Sequence, residues 1–403
     1  MALARHGATA NGGVNRQALS AEEIAAWHEV IAWGREATLV PFTDPAGNLF
    51  LCAEGADRSA APVLTGSHLD SQPTGGKFDG VYGVLAGIEA LQAIRDAGLT
   101  LQRSVEVVAW MNEEGSRFAP GMMGSAAFAG ALPLANFLNV RDADGISVRQ
   151  ALAGLHDEFA DMPSRPLRRR LAAYVEAHIE QGPILEREGY QVGVVTGIQG
   201  KRTFRVSVKG MEAHAGTEPQ GERRDALLAA VRMIHALDEA MRECGGDDVK
   251  FTVGRLVVTP NAPSVVPSGA VFSIDLRHVD LALLTSLGNR IPSICAAHAG
   301  ECDVDVVELT TAMSLHFPER MTRLIRDTAS ALGIPSLDIF SAAGHDARFL
   351  HSVCPSGMIF VPCKAGISHN PQESAKPEDL AAGARVLTDV LVALANDSHP
   401  GRV

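Results

Sequence analysis

The chain has 403 residues, of which 46% are hydrophobic and 20% charged, and its formal charge is −12. That length exceeds one ordinary core and implies two domains, while the acidity argues against nucleic acid or an anionic membrane as partner. No apolar run approaches the roughly 20 residues of a bilayer span, the opening MALARHGATANGGVNRQALS lacks an apolar signal region, and the six cysteines form no CxxC pair, so a reduced, cytoplasmic protein is expected.

In chain order, SAEEIAAWHEVIAWGRE reads as a helix opened by a capping box, with Ser20 as cap and Glu23 three residues on. APVLTGSHLDS reads as a buried strand running into a loop, GVYGVLAGIEALQAIRDAG as a helix stopped at Gly98, and SVEVVAWMN as a strand leading to the pair Glu113-Glu114. RPLRRRL, from Arg165 to Leu171, reads as a solvated basic face. LAAYVEAHIEQGPILEREG leads to His178 and a turn at Gly182-Pro183.

From about 197 to 314 the rhythm changes. Strand KRTFRVSVKG, helix RRDALLAAVRMIHALDEAMREC, strands KFTVGRLVVT and AVFSIDLRHVD, helix LALLTSLGNRIPSICAAHA and strand CDVDVVELTTAM spell β-α-β-β-α-β. Helix MTRLIRDTASALG, strand SGMIFVPCK, loop AGISHNPQES, helix PEDLAAGARVLTDVLVALAN and a short tail NDSHPGRV close the chain. The expected class is α/β with two domains. One is built from 1–197 and 315–403, and the other, 198–314, is inserted between them.

Loops at the carboxyl ends of strands in an open α/β sheet are where ligands bind. Four such loops here carry imidazoles and carboxylates: His68 with Asp79, Glu113-Glu114, His178, and His369. That donor chemistry suits zinc, manganese or cobalt. Paired cations about 3.5–4 Å apart need an anion between them, and Asp79 is the candidate bridge. On this reading His68 and His178 serve one cation, and Glu114 and His369 the other. Asp70 is expected to accept the second ring N–H of His68. Neighbouring residues on an extended strand end point to opposite sides. Glu114 then binds metal while Glu113 is left to move a proton. The glycines of GGKFDGVYG let the backbone turn tightly enough to aim Asp79 inward.

Seven segments occur in an order that resembles the hydantoinase/carbamoylase branch of the dinuclear metallo-amidohydrolases related to zinc aminopeptidases. They are GSHLDSQPTGGKFDGVYGVLAG, MNEEGSRF, AHIEQGP, GMEAHAGTEP, NAPSVVPSGAVFSIDLRH, AAGHDA and GISHNPQE. The resemblance runs from Leu19 to Ala395; the segment before Leu19 has no match. HIEQGP is informative, because peptidase relatives commonly carry an acidic ligand where this branch has His. The branch includes N-carbamoyl-L-amino-acid hydrolases, β-ureidopropionases and allantoate amidohydrolases. They are homodimers that cleave ureido groups with zinc, manganese, cobalt or nickel.

The resemblance implies an aminopeptidase-like catalytic domain with a ferredoxin-like dimerisation or lid insertion, and two divalent metal ions per subunit. His68, Asp79 and His178 would hold one ion, and Asp79, Glu114 and His369 the other. Glu113 is implied as general acid/base and His214 as oxyanion donor, reaching in from a second subunit. Gln181 and His214 would contact the carbamoyl end, Asn261 and Arg277 would clamp the substrate carboxylate, and Gly344 would offer a backbone contact. His345 is expected to support rather than ligate. The substrate expected is a small ureido acid, an N-carbamoyl amino acid before allantoate or ureidoglycolate. The rivals are an aminoacylase or dipeptidase on the same metal frame, and a binding protein that keeps the fold without the chemistry.

Overall fold

The computed structural model describes residues 1–246 and 248–397; the last six residues of the tail lie outside them. The chain divides into two compact units, one formed by Met1–Gly197 with the segment from His316 on, the other by Ile198–Leu315.

The first unit is built on a mixed sheet. Its centre is four parallel strands in the order Val105–Trp110, Val63–His68, Ala173–Ile179, Ser356–Val361. Val63–His68 and Val105–Trp110 are buried at every position, as strands covered on both faces must be. Antiparallel strands flank this centre, Leu49–Ala53 and Val40–Thr43 beyond one edge and Val192–Ile198 beyond the other. Helices Val81–Asp96 and Pro377–Asn396 pack together against the central strands. Their Ile88, Leu91, Leu387 and Leu391 join Val107 and Val175 in the main core. Among the described residues no helix is long and apolar enough to cross a membrane.

Two local expectations are corrected. Ser20 does cap the helix Ala21–Glu36, its Oγ accepting from the Glu23 N–H at 3.3 Å. The Glu23 carboxylate, however, accepts from the N–H of Leu19, one residue before the cap, so the capping box is not closed. RPLRRRL is a solvated face only in part: Arg168 and Arg170 are exposed, but the other two arginines are engaged. Arg165 and Arg169 pair with the buried Glu106 at 3.0 and 2.8 Å, and Arg165 lies 3.7 Å above the Phe42 ring. A carboxylate on a central strand demands such partners.

Glu23 itself is buried. Burial, then the Asp70 charge, pushes its carboxyl up to about 8 from 4.5. Below pH 4.5 it is protonated in both the folded and unfolded states. Between there and about pH 8 the unfolded chain releases a proton that the folded chain keeps, so stability falls as pH rises. Glu23→Gln is therefore expected to gain on the parent from pH 5 to pH 8 in urea melts of chelator-treated protein. A constant offset at both pH values would contradict this.

The second unit is an antiparallel sheet in the order Leu256–Thr259, Gly269–His278, Gly200–Lys209, Asp303–Ala312. Gly269–His278 alternates, with Phe272, Ile274 and Leu276 turned to the core they share with helices Ala226–Gly245 and Leu281–Ala297. KFTVGRLVVT forms two strands rather than one. Lys250–Thr252 and Leu256–Thr259 pair with successive parts of Gly269–His278, and the break between them spans Gly254.

Candidate metal centre

Because the four central strands are parallel, their carboxyl ends meet at one edge of the sheet. His68 is the last residue of its strand, and His178 lies one residue before the end of its own. The Glu113-Glu114 turn follows Trp110, and the loop carrying His369 follows Val361. The structure brings these groups together around Asp79. His178 Nε2 is 3.2 Å from Asp79 Oδ1, and His369 Nε2 is 3.1 Å from Asp79 Oδ2. His68 Nε2 is 3.9 Å from Oδ1, and Glu114 Oε2 is 3.4 Å from His369 Nε2. The result is two triads, His68–Asp79–His178 and Asp79–Glu114–His369, each with its donor atoms within 4.8 Å of one another.

The surroundings aim these donors. The Nδ1 atoms of His68 and His178 lie 2.9 and 2.8 Å from the carbonyl oxygens of Asp70 and Ile179. Each Nδ1–H therefore donates outward, and Nε2, the nitrogen a metal would take, faces the cluster. Gly80 caps the helix after Asp79 at φ +67°; a Cβ there would lie 2.3 Å from the His68 ring, so this position admits only glycine. Glu373 accepts from the N–H groups of Phe78 and Asp79 at 2.8 and 3.1 Å and from Ser368 Oγ at 3.0 Å. It thereby fixes the backbone of Asp79 from the loop that bears His369. Sequence reasoning missed this role; the signal was an acid four residues after His369 in GISHNPQE.

The Asp70 carboxylate does not take the task expected of it. It stands 3.6 Å from His68 Nδ1, which is instead served by the Asp70 carbonyl. Its two oxygens accept from the N–H groups of Glu113 and Glu114, each at 3.2 Å. The acidic pair also differs from the extended strand end expected. The strand stops at Trp110, Asn112 takes φ 55°, and both glutamates sit in the turn that follows. They still diverge: Glu113 Oε2 lies 3.6 Å from His68 Nε2, whereas Glu114 faces His369 and accepts from Gln72 Nε2 at 2.7 Å.

Charge is balanced locally. Although burial opposes it, hydrogen bonds with His178 and His369 hold the Asp79 carboxyl well below the usual range. The Asp79 hydrogen bond holds His369 up at about 9, and it does the same for His178 against the pull of burial. Burial pushes His68 down to about 4, a neutral imidazole at physiological pH. Burial and then the Asp346 charge hold Glu113 well above the usual range.

A third grouping, Glu176–His178–His345, lies beside the first. Glu176 already accepts from Ser67 Oγ at 2.8 Å, Ala347 N–H at 3.0 Å and Tyr174 Oη at 3.2 Å. The His345 ring, 4.5 Å from that of His178, is held by Ser341. This is packing behind the donors. An imidazole–carboxylate set without thiolates, with second ring nitrogens pinned by carbonyls, fits divalent ions of the zinc, manganese, cobalt and nickel kind.

Gln181 stands at the cluster, donating from Nε2 to Asp79 Oδ2 and Ser368 Oγ, each at 3.1 Å. Gly344 lies in the loop before His345, beside the Met122 side chain. His214, Asn261 and Arg277 belong to the second unit. His214 is exposed, and its Nδ1 accepts from the N–H groups of Gly216 and Thr217 at 3.0 and 3.2 Å, which leaves the ring proton on Nε2. Asn261 is exposed with φ 57°. Arg277 engages Asp275 through Nε at 2.8 Å and Nη2 at 3.2 Å, so its fork already holds a carboxylate of the chain.

Residues 64–393 match Peptidase family M20/M25/M40. The chain is 38% identical to the N-carbamoyl-L-amino-acid amidohydrolase of Rhizobium meliloti, covering 96% of this chain and 92% of that one. It is 34% identical to the allantoate amidohydrolase of Bacillus subtilis, over 98% and 95% of the two chains. A crystal structure of an amidase of the hydantoinase/carbamoylase family from Burkholderia multivorans superposes with a TM-score of 0.89 at 40% identity, covering 98% of this chain and 96% of that one. The chain thus belongs to peptidase family M20/M25/M40, within its hydantoinase/carbamoylase branch, and is a metal-dependent amidohydrolase.

Proposed function

We propose that the protein hydrolyses the ureido C–N bond of an N-carbamoyl amino acid, α or β, giving the amino acid, ammonia and carbon dioxide. The observation that carries this reading is the pair of donor triads sharing Asp79, with the Glu113 carboxyl beside them and outside both. His68, Asp79 and His178 would hold one divalent ion, and Asp79, Glu114 and His369 a second. Bound there, the ions supply Lewis acidity toward a carbonyl and bring water's pKa toward neutrality.

The protein's own groups do the rest. Glu113 takes a proton from the attacking water and delivers it to the nitrogen that leaves as ammonia. The carbamate so formed loses carbon dioxide unaided and leaves the amino acid. Gln181 and His214 meet the carbamoyl end, Asn261 and Arg277 the carboxylate, for which Arg277 exchanges its contact with Asp275, and Gly344 gives a backbone contact. His214, with its proton on Nε2, supports the oxyanion from a second subunit of a homodimer formed through the inserted unit. Both relatives above are named for substrates that carry ureido groups.

The test is ammonia release from N-carbamoyl-L-amino acids, N-carbamoyl-β-alanine, allantoate and ureidoglycolate in the presence of zinc, manganese, cobalt or nickel. N-acetyl amino acids and dipeptides serve as controls. Preference for allantoate or ureidoglycolate would shift the substrate within the ureido class; preference for the controls would defeat the proposal. His214→Ala is expected to lower kcat by ~10²–10³-fold, the effect of one oxyanion donor. Mixed dimers of His214→Ala and Glu113→Gln subunits are expected to regain part of the parent rate. No recovery in verified mixed dimers would refute action across the interface.

A further inference from the structure

Residues 1–19 have no part in the scheme above, yet they contain Arg16, only 1% exposed. Its Nε donates to the carbonyl of Leu69 at 2.7 Å, and its Nη1 to those of Leu3 and His6 at 3.1 and 2.9 Å. Around it the chain is laced to the loop between His68 and Asp79. Arg16 N–H donates to Ser71 Oγ and Ser71 N–H to the Arg16 carbonyl, at 2.9 and 2.8 Å. Val14 and Gly75 exchange both of their backbone hydrogen bonds, at 3.0 and 2.9 Å. Gly13 is wedged so closely that a Cβ would lie 2.6 Å from the Gly75 carbonyl oxygen and 3.0 Å from Pro371, two residues after His369.

The other side of that loop holds the ligands. The Asp70 carbonyl orients the His68 ring, and the Asp70 carboxylate accepts the N–H groups of Glu113 and Glu114. Gln72 donates to both oxygens of Glu114, from N–H at 3.1 Å and from Nε2 at 2.7 Å. A guanidinium buried for stability alone has no need to grip this loop, and an apolar residue would fill the space at lower cost.

We infer that residues 13–16 are a clamp that sets the metal affinity of the centre by fixing the loop between His68 and Asp79, with Arg16 as its positioning residue. The inference rests on the two-cation reading. Loss of the clamp weakens the Asp79–Glu114–His369 site most, because Asp70 and Gln72 both act on Glu114.

Cobalt(II) uptake by full-length, metal-free protein tests this, read by ligand-field absorption and calorimetry. The parent is expected to take up two ions. Arg16→Met and Gly13→Ala are each expected to weaken uptake by at least about tenfold, as loss of outer support does. Their absorption bands should change while a cooperative urea melt persists in chelator. Gly13→Ala changes no charge and decides the matter if Arg16→Met does not fold. Isotherms and spectra like the parent's in the folded variants would overturn the inference and leave the dinuclear reading intact. A parent that binds no cobalt would overturn both. Loss of the cooperative melt in both variants would also count against the inference, making the segment an element of the fold at large.

Discussion

Glu113→Gln is expected to lower kcat by ~10²–10⁴-fold, the share of a general acid/base, while KM and metal content stay near those of the parent. The amide has the shape of the carboxyl and neither takes nor gives a proton at neutral pH. Glu113 belongs to neither donor triad, and its Oε2 lies 3.6 Å from His68 Nε2. The charges of Asp346, Glu114, Asp70 and Asp79 all bear on its buried carboxyl. Removing an ionisable group from that company relieves repulsion, so the chelated variant is expected to melt at higher urea than the parent. Steady-state ammonia release, metal analysis after dialysis and the urea midpoint check these outcomes. A joint loss of metal and turnover would make Glu113 a ligand and leave the proton transfer without a carrier.

Much of this site was legible in the sequence because the fold puts local signals in one place. His68, Glu113-Glu114, His178 and His369 each end a strand or follow one, and four parallel strands bring those ends to a single edge. Chemistry-bearing residue types at strand ends are visible without knowing the order of strands. The β-α-β-β-α-β rhythm was legible for a similar reason: Gly269–His278 alternates in burial as its side chains alternate along the strand.

What escaped depends on partners distant in sequence. Arg165 and Arg169 read as solvated because nothing near them announces Glu106, about 60 residues earlier and buried. The Asp70 carboxylate lies two residues from an imidazole, and that proximity suggested a partner. The turn at Asn112 instead carries two backbone N–H groups to it. Val14 and Gly75 pair across 61 positions with no periodic pattern to mark them. Glu373 stands within GISHNPQE, yet its work is on the backbone of Asp79, nearly 300 residues away. Hydrogen bonds to backbone leave little trace in residue type, since any segment supplies the N–H.

Asp79→Asn tests the centre more severely, because Asp79 alone stands in both triads. The substitution keeps the shape and removes the charge. Oδ1 faces His178 and His68, and Oδ2 faces His369. Divalent ions bound per subunit are expected to fall from two to one or none. Turnover should drop by more than about 100-fold, beyond the usual range for lost outer-shell contacts. Glu114→Gln, which alters one triad, is expected to keep one ion and so to fall between the variant and the parent. A second readout needs no metal. The Asp79 charge holds His178 and His369 up at about 9. A raised histidine stabilises the fold below its unfolded value near 6.5, and that gain is lost as pH climbs through about 9. In chelator, the parent's advantage over Asp79→Asn is therefore expected to be larger at pH 6 than at pH 9, with both imidazole resonances titrating lower in the variant. A variant that still held two ions, or whose histidines titrated unchanged, would remove Asp79 from the middle of the site, and the dinuclear reading would fall with it.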